Sequence, residues 1–247
     1  MAVNWFKYSS PATFYPVAGH LARWFAVAAV VLFIIGLYMS FFVAPTDYKQ
    51  GEGYRIIFIH VPAAWMSMFI YLVMAMWAVA GMIWKTRLSS MMASALAPTG
   101  AMFTFLALWT GALWGKPMWG TYWVWDARLT SELILLFLYI GFMALEAAID
   151  DPRRAARASG LLALVGVVNL PIIYFSVQWW NTLHQGATIR IGQESTMTEI
   201  MLYSMLVMTF ACWFYTIAVA MTRVRSIILE REQRSAWVTK MLGGDPS

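Results

Sequence analysis

Long runs without a single charge dominate this chain and leave it few ways to fold. Trp24 to Ala44 is 21 residues with no Asp, Glu, Lys or Arg, and Ile56 to Trp84 is 29. About 20 apolar residues cross a bilayer as a helix. In hydrocarbon only helices and closed barrels satisfy every backbone N–H and C=O. Further spans are expected at Leu88–Gly115, near Leu129–Ile149, within Ala158–Ile189 and at Ile200–Thr222. The fourth is the weakest, because Glu132 and Glu146 sit near its ends, yet the flanking segments require it. The run from Ala158 is too long for one helix and is expected to end near Trp179, with a kink at Pro171. The fold class is therefore all-α, a polytopic membrane protein with six transmembrane helices.

Composition agrees, with 61% hydrophobic and 12% charged residues against about 25% charged in a soluble domain. Residues 1–23 read as an interfacial leader without a cleavable signal, residues 24–222 as the membrane domain, and 223–247 as a basic tail. Placing both termini in the cytoplasm puts 12 of the 17 Lys and Arg on that side, which is the sense of the positive-inside rule. The outer loops are then 45–55, 114–129 and 179–199. The pI near 9.4 reflects these loop charges and not a nucleic-acid surface. The single cysteine, Cys212, excludes disulfides and the C-x-x-C-H of covalent haem attachment.

The stretch WGKPMWGTYWVWDARLT, Trp114 to Thr130, fits neither helical nor strand periodicity. Gly115, Pro117 and Gly120 mark it as a shaped loop. It carries Trp114, Trp119, Tyr122, Trp123 and Trp125 with Lys116, Asp126 and Arg128. An aromatic belt at headgroup level needs fewer rings and no Asp126 beside Arg128, so a surface for a flat, partly anionic ligand is favoured. The topology sets His60 and His184 at the same face. Two neutral imidazoles can supply both axial bonds to a haem iron. Trp119, Trp123 and Trp125 can lie against a porphyrin, and Arg55 and Arg128 can pair with its propionates. Asp126 can orient an arginine or a histidine. Glu132 is either a functional buried acid or a solvated boundary residue. Lys116 and Arg190 read as snorkelling or loop cations. Gly111 and Gly115 form a G-x-x-x-G, a weak packing signal.

WGKPMWGTYWVWDARLTSELILLFLY resembles the tryptophan-rich "WWD" signature of the haem-handling proteins of cytochrome c maturation. RIIFIHVPAAWMS around His60 and NLPIIYFSVQWWNTLHQG around His184 are similar to the CcmC-type members. Tyr122 stands where some members have tryptophan. The resemblance implies a non-enzymatic protein of the bacterial inner membrane. It implies haem b held on the periplasmic face by His60 and His184, and delivery to the haem chaperone CcmE. It also implies work beside CcmD and the ABC transporter subunits CcmA and CcmB. The alternative is a single-haem, quinone-linked electron-transfer subunit. Two-haem transfer across the membrane is excluded, since His20 is the only further histidine.

Overall fold

A computed structural model of the chain describes residues 8–184, 195 and 197–243. Its helices are α1 (Pro11–Tyr38), α2 (Ile57–Trp84), α3 (Arg87–Trp119), α4 (Ala127–Ala148), α5 (Pro152–Gly166), α6 (Asn169–Trp179), α7 (Glu199–Arg231) and α8 (Ala236–Met241). No strand occurs among the described residues. Six helical stretches are long and apolar enough to cross a membrane, the fifth made of α5 and α6 together. The expectation of an all-helical, six-span membrane protein is met.

Helix ends follow local chemistry. Pro11 and Pro152 stand in the first turns of α1 and α5, where the missing N–H costs nothing. Asp126 caps α4 by accepting from the Leu129 amide at 2.8 Å. Asp151 caps α5 through the amides of Arg153 and Arg154. The helix containing the first uncharged run already starts at Pro11, so residues 11–23 are its opening turns. The break expected from Pro171 lies between α5 and α6, at Val167 and Val168. Pro171 cannot bond the Val167 carbonyl, and the Leu170 amide takes that acceptor instead at 3.1 Å.

The stretch 114–129 differs from the expected loop. Helix α3 runs through Gly115 and Pro117 to Trp119, and α4 begins at Ala127. Pro117 lies in the last turn, where its lost N–H removes a single bond. The Gly120 amide then closes the helix on the Lys116 carbonyl at 3.0 Å, with φ 76° at Gly120, a left-handed cap suited to glycine. The irregular segment is only 120–126.

Helix α1 packs chiefly on α7, α2 on α3, and α4 against α3, α5 and α6. Association of helices in lipid depends on close van der Waals packing at small residues. Helix α3 supplies them, with Ala93, Ala95, Ala97, Gly100, Ala107 and Gly111 buried. The centre holds Tyr71 and Tyr139, fully buried and edge-to-face at 5.0 Å. The Tyr139 hydroxyl donates to the Ser67 carbonyl at 2.8 Å.

A Cβ on Gly100 would lie 2.1 Å from the Tyr139 ring, whereas one on Gly81 would meet only ordinary contacts from 3.4 Å outward. Gly100→Ala is therefore expected to destabilise the bundle by about 1–3 kcal/mol, as overpacking does. Gly81→Ala should leave the melting temperature in detergent close to wild type. Equal melting temperatures for the two variants would contradict the tyrosine-centred packing.

Candidate functional site

One end of the bundle gathers the starts of α2, α4 and α7 and the finishes of α3 and α6. His60 enters from the first turn of α2 and is buried. Its Nδ1 lies 3.1 Å from Thr110 Oγ1 on α3. The Thr110 hydroxyl itself donates to the Leu106 carbonyl at 2.6 Å, so it accepts from His60 Nδ1–H. That bond favours the Nδ1–H tautomer, in which Nε2 carries the lone pair that a metal-ligating histidine requires. Gly111 makes the approach possible, because a Cβ there would touch His60 Cε1 at 3.0 Å. The same small residue that serves helix packing also seats an imidazole.

His184 lies beyond α6, outside the spans, and is held by a chain of polar contacts. One Asp126 carboxylate oxygen caps α4, and the other accepts from the Thr182 hydroxyl. Thr182 Oγ1 in turn accepts the backbone N–H of His184 at 3.0 Å. Asp126 thus ties the segment after α6 to the start of α4 through Thr182. The His184 ring sits 6.3 Å from that of His60 and 5.0 Å from Trp119, centroid to centroid. Its Nδ1 is buried and has no hydrogen-bond partner among the described residues. Burial, reinforced by the Arg128 charge and opposed by Asp126, lowers its pKa from 6.5 to about 4.

A small cavity of about 30 Å³ lies between the rings, lined also by Ala64, Ala107, Leu108, Gly111, Arg128, Leu129 and Glu132. Arg128, as expected, faces the pair, and its Nη1 donates to the Ile173 carbonyl at 3.3 Å. Arg55 does not line this cavity. It is engaged by the Glu52 carboxylate and donates to the Ser40 carbonyl at 2.6 Å. That carbonyl stands in the π-helical turn Met39–Val43, which brings an acceptor to the arginine.

The tryptophans divide into walls and surface. Trp114 is buried, edge-on to His60 at 5.7 Å, and its Nε1 donates to Gln50 at 2.9 Å. Trp123 and Trp125 meet edge-to-face at 5.3 Å, and Trp125 is 77% exposed. Tyr122 is exposed and carries Lys116 over its ring at 5.3 Å. Lys116 also donates to the Gly120 carbonyl. Arg190 and most of the 179–199 loop lie outside the described residues. Sequence reasoning did not find Thr110, Gln50 or Thr182. None carries a signal of its own, since each depends on a partner 50 or more positions away.

The sequence profile described as "CcmC: Heme exporter protein C" matches residues 4–239. The chain belongs to this haem exporter protein C family. "Heme exporter protein C" of Escherichia coli K12 is 49% identical over 234 residues, covering 94% of each chain. That of Bradyrhizobium diazoefficiens is 50% identical over 227 residues, covering 92% of this chain and 86% of its own. A "Putative cytochrome c biosynthesis ccmC-like mitochondrial protein" of Marchantia polymorpha is 44% identical over 207 residues.

Donor chemistry narrows what this family member's imidazole pair can hold. A metal–imidazole nitrogen bond is about 2 Å, and the ring centre lies about 1 Å further. Two imidazoles trans on one ion therefore have centroids about 6 Å apart, which the observed spacing matches. Among the described residues no three His, Cys, Asp or Glu side chains gather as ligands. The pair suits a metal that arrives with its equatorial positions filled, and haem is such a group.

Thr110→Val removes the acceptor for His60 Nδ1–H and is expected to weaken haemin binding by about 10- to 100-fold. Thr110→Ser should stay near wild type, both read by haemin titration in detergent. For His184 the folded pKa lies below the unfolded one. Its contribution to stability is thus present above pH 6.5 and is lost as pH falls toward about 4. Nitrogen-15 NMR of histidine-labelled protein is expected to show a neutral His184 ring at pH 5. A midpoint near 6.5 would contradict its buried setting.

Proposed function

We propose that this protein handles haem for cytochrome c maturation, holding haem b non-covalently with His60 and His184 as axial ligands. The observation that carries this reading is the pair of imidazoles 6.3 Å apart, one with its tautomer favoured by Thr110 and the other with a ring nitrogen unpartnered among the described residues. Family membership supports it, since the relatives are named for haem export and cytochrome c biosynthesis. When bound, haem supplies the iron that accepts both imidazoles. Trp114 and Trp119 wall the ligand nitrogens, and Arg128 places a cation beside them for a propionate. The macrocycle is far larger than the 30 Å³ between the rings, and Trp119, beside His184, would offer it an aromatic face.

In this reading both termini are cytoplasmic and the site faces the periplasm of a bacterial inner membrane, in contact with lipid. The exposed rings of Tyr122 and Trp125 present haem to the chaperone CcmE. CcmD, CcmA and CcmB complete the assembly, with ATP hydrolysis in a partner chain and no catalysis in this one. Aromatic walls without a deep pocket suit a ligand that must leave. Arg55, bound to Glu52 and Ser40, holds the first outer turn and reaches a propionate only after releasing them. The quinone-linked alternative gains nothing from the geometry. His20 donates to the Pro16 carbonyl and lies in the opening turns of α1, away from the site end.

The deciding measurement is the absorption spectrum of purified protein, wild type beside His60→Ala and His184→Ala. A low-spin haem b band is expected in wild type and lost or shifted in both variants. An unchanged band in either variant would remove that histidine from the iron. Rapid reduction of the wild type by a quinol would favour the electron-transfer alternative.

A further inference from the structure

Among the described residues two glutamates are buried, Glu132 at 7% and Glu232 at 8% exposure. Glu232 has a cation beside it. It pairs with Arg87 at 2.8 Å and accepts from the Trp237 indole at 3.1 Å, fastening α8 to the start of α3. Glu132 has no ion pair within 4 Å among the described residues. Its hydrogen-bond partner is Ser67 Oγ at 2.7 Å. That hydroxyl also lies 2.8 Å from the Ala64 carbonyl, so its one proton is divided between two acceptors. The carboxylate lines the cavity with both histidines and with Arg128. An acid this deep in a membrane bundle and this poorly partnered costs stability unless another charge offsets it.

We infer that Glu132, facing the same cavity as Arg128, is the counter-charge of the haem site, the group that biases which charge state of the iron the pocket favours. The inference rests on the haem reading above. Arg128 and Glu132 stand at i and i+4 on α4, so they share one face. Porphyrin is a dianion and the two imidazoles are neutral, so the ferric centre carries one net positive charge and the ferrous centre none. Arg128 alone would disfavour the ferric form. Glu132 opposes that effect, and in a low-dielectric interior a nearby charge acts strongly on the centre. Charge and burial around the iron are among the levers that set haem potentials.

The test is a spectroelectrochemical titration of detergent-purified, haem-loaded protein with dithionite and redox mediators. Glu132→Gln is compared with wild type and with Glu146→Gln, which removes the same charge beside Arg231 near the other end of α4. At a fixed potential, Glu132→Gln is expected to raise the ferrous-to-ferric ratio at least about tenfold, a positive shift of about 59 mV for one electron. Glu146→Gln should match wild type. An unchanged ratio in Glu132→Gln that still shows the low-spin band overturns the inference while leaving bis-histidine binding intact. A wild type without low-spin haem overturns both, and it is read first. Should Glu132→Gln fail to fold, Ser67→Ala carries the test. It strips the carboxylate of the donor that favours its charged form and is expected to shift the ratio toward ferrous, as Glu132→Gln does, and no shift overturns the inference.

Discussion

In hydrocarbon an unpaired backbone N–H or C=O costs several kcal/mol, and every feature of this protein is arranged around that constraint. It forces the chain into helices and confines irregular backbone to their ends. The break between α5 and α6 respects it, since the Leu170 amide takes the carbonyl that Pro171 cannot bond. The turn after α3 respects it as well, through the Gly120 amide on Lys116. Polar side chains at one end of the bundle can then converge only if the loops themselves are built from hydrogen bonds.

Asp126 shows how such convergence is achieved. Its two carboxylate oxygens serve two elements, capping α4 and gripping Thr182. The same residue that starts a helix therefore positions His184, 58 residues later in the chain. Thr110 does the matching work for His60. Neither residue belongs to the imidazole pair, yet one holds the His60 ring and the other the backbone that carries His184. In the proposed function such a pair would hold a metal-centred ligand without enclosing it, as a protein that surrenders its ligand requires.

Charge is distributed with the same economy. Arg128 and Glu132 reach the cavity from one face of α4, while Arg55 is occupied by Glu52 and Ser40. Both arginines read alike in one dimension. Their neighbours separate them, because the π-helical turn at Met39–Val43 offers a carbonyl to one and not to the other.

Six spans, their approximate limits and the convergence of an aromatic stretch with two histidines are legible in the sequence alone. Hydropathy over about 20 residues and the paired histidines are local signals, and the bilayer converts such signals directly into helices. The extent of the aromatic loop was less legible, since Pro117 lies late enough in α3 to be tolerated before Gly120 ends it. Tertiary structure alone decided the 6.3 Å spacing of His60 and His184. It also set the tautomer favoured through Thr110, the diversion of Arg55 and the inward turn of Glu132. Each of these depends on contacts between helices, and a hydrogen bond between distant residues has no counterpart in periodicity or composition.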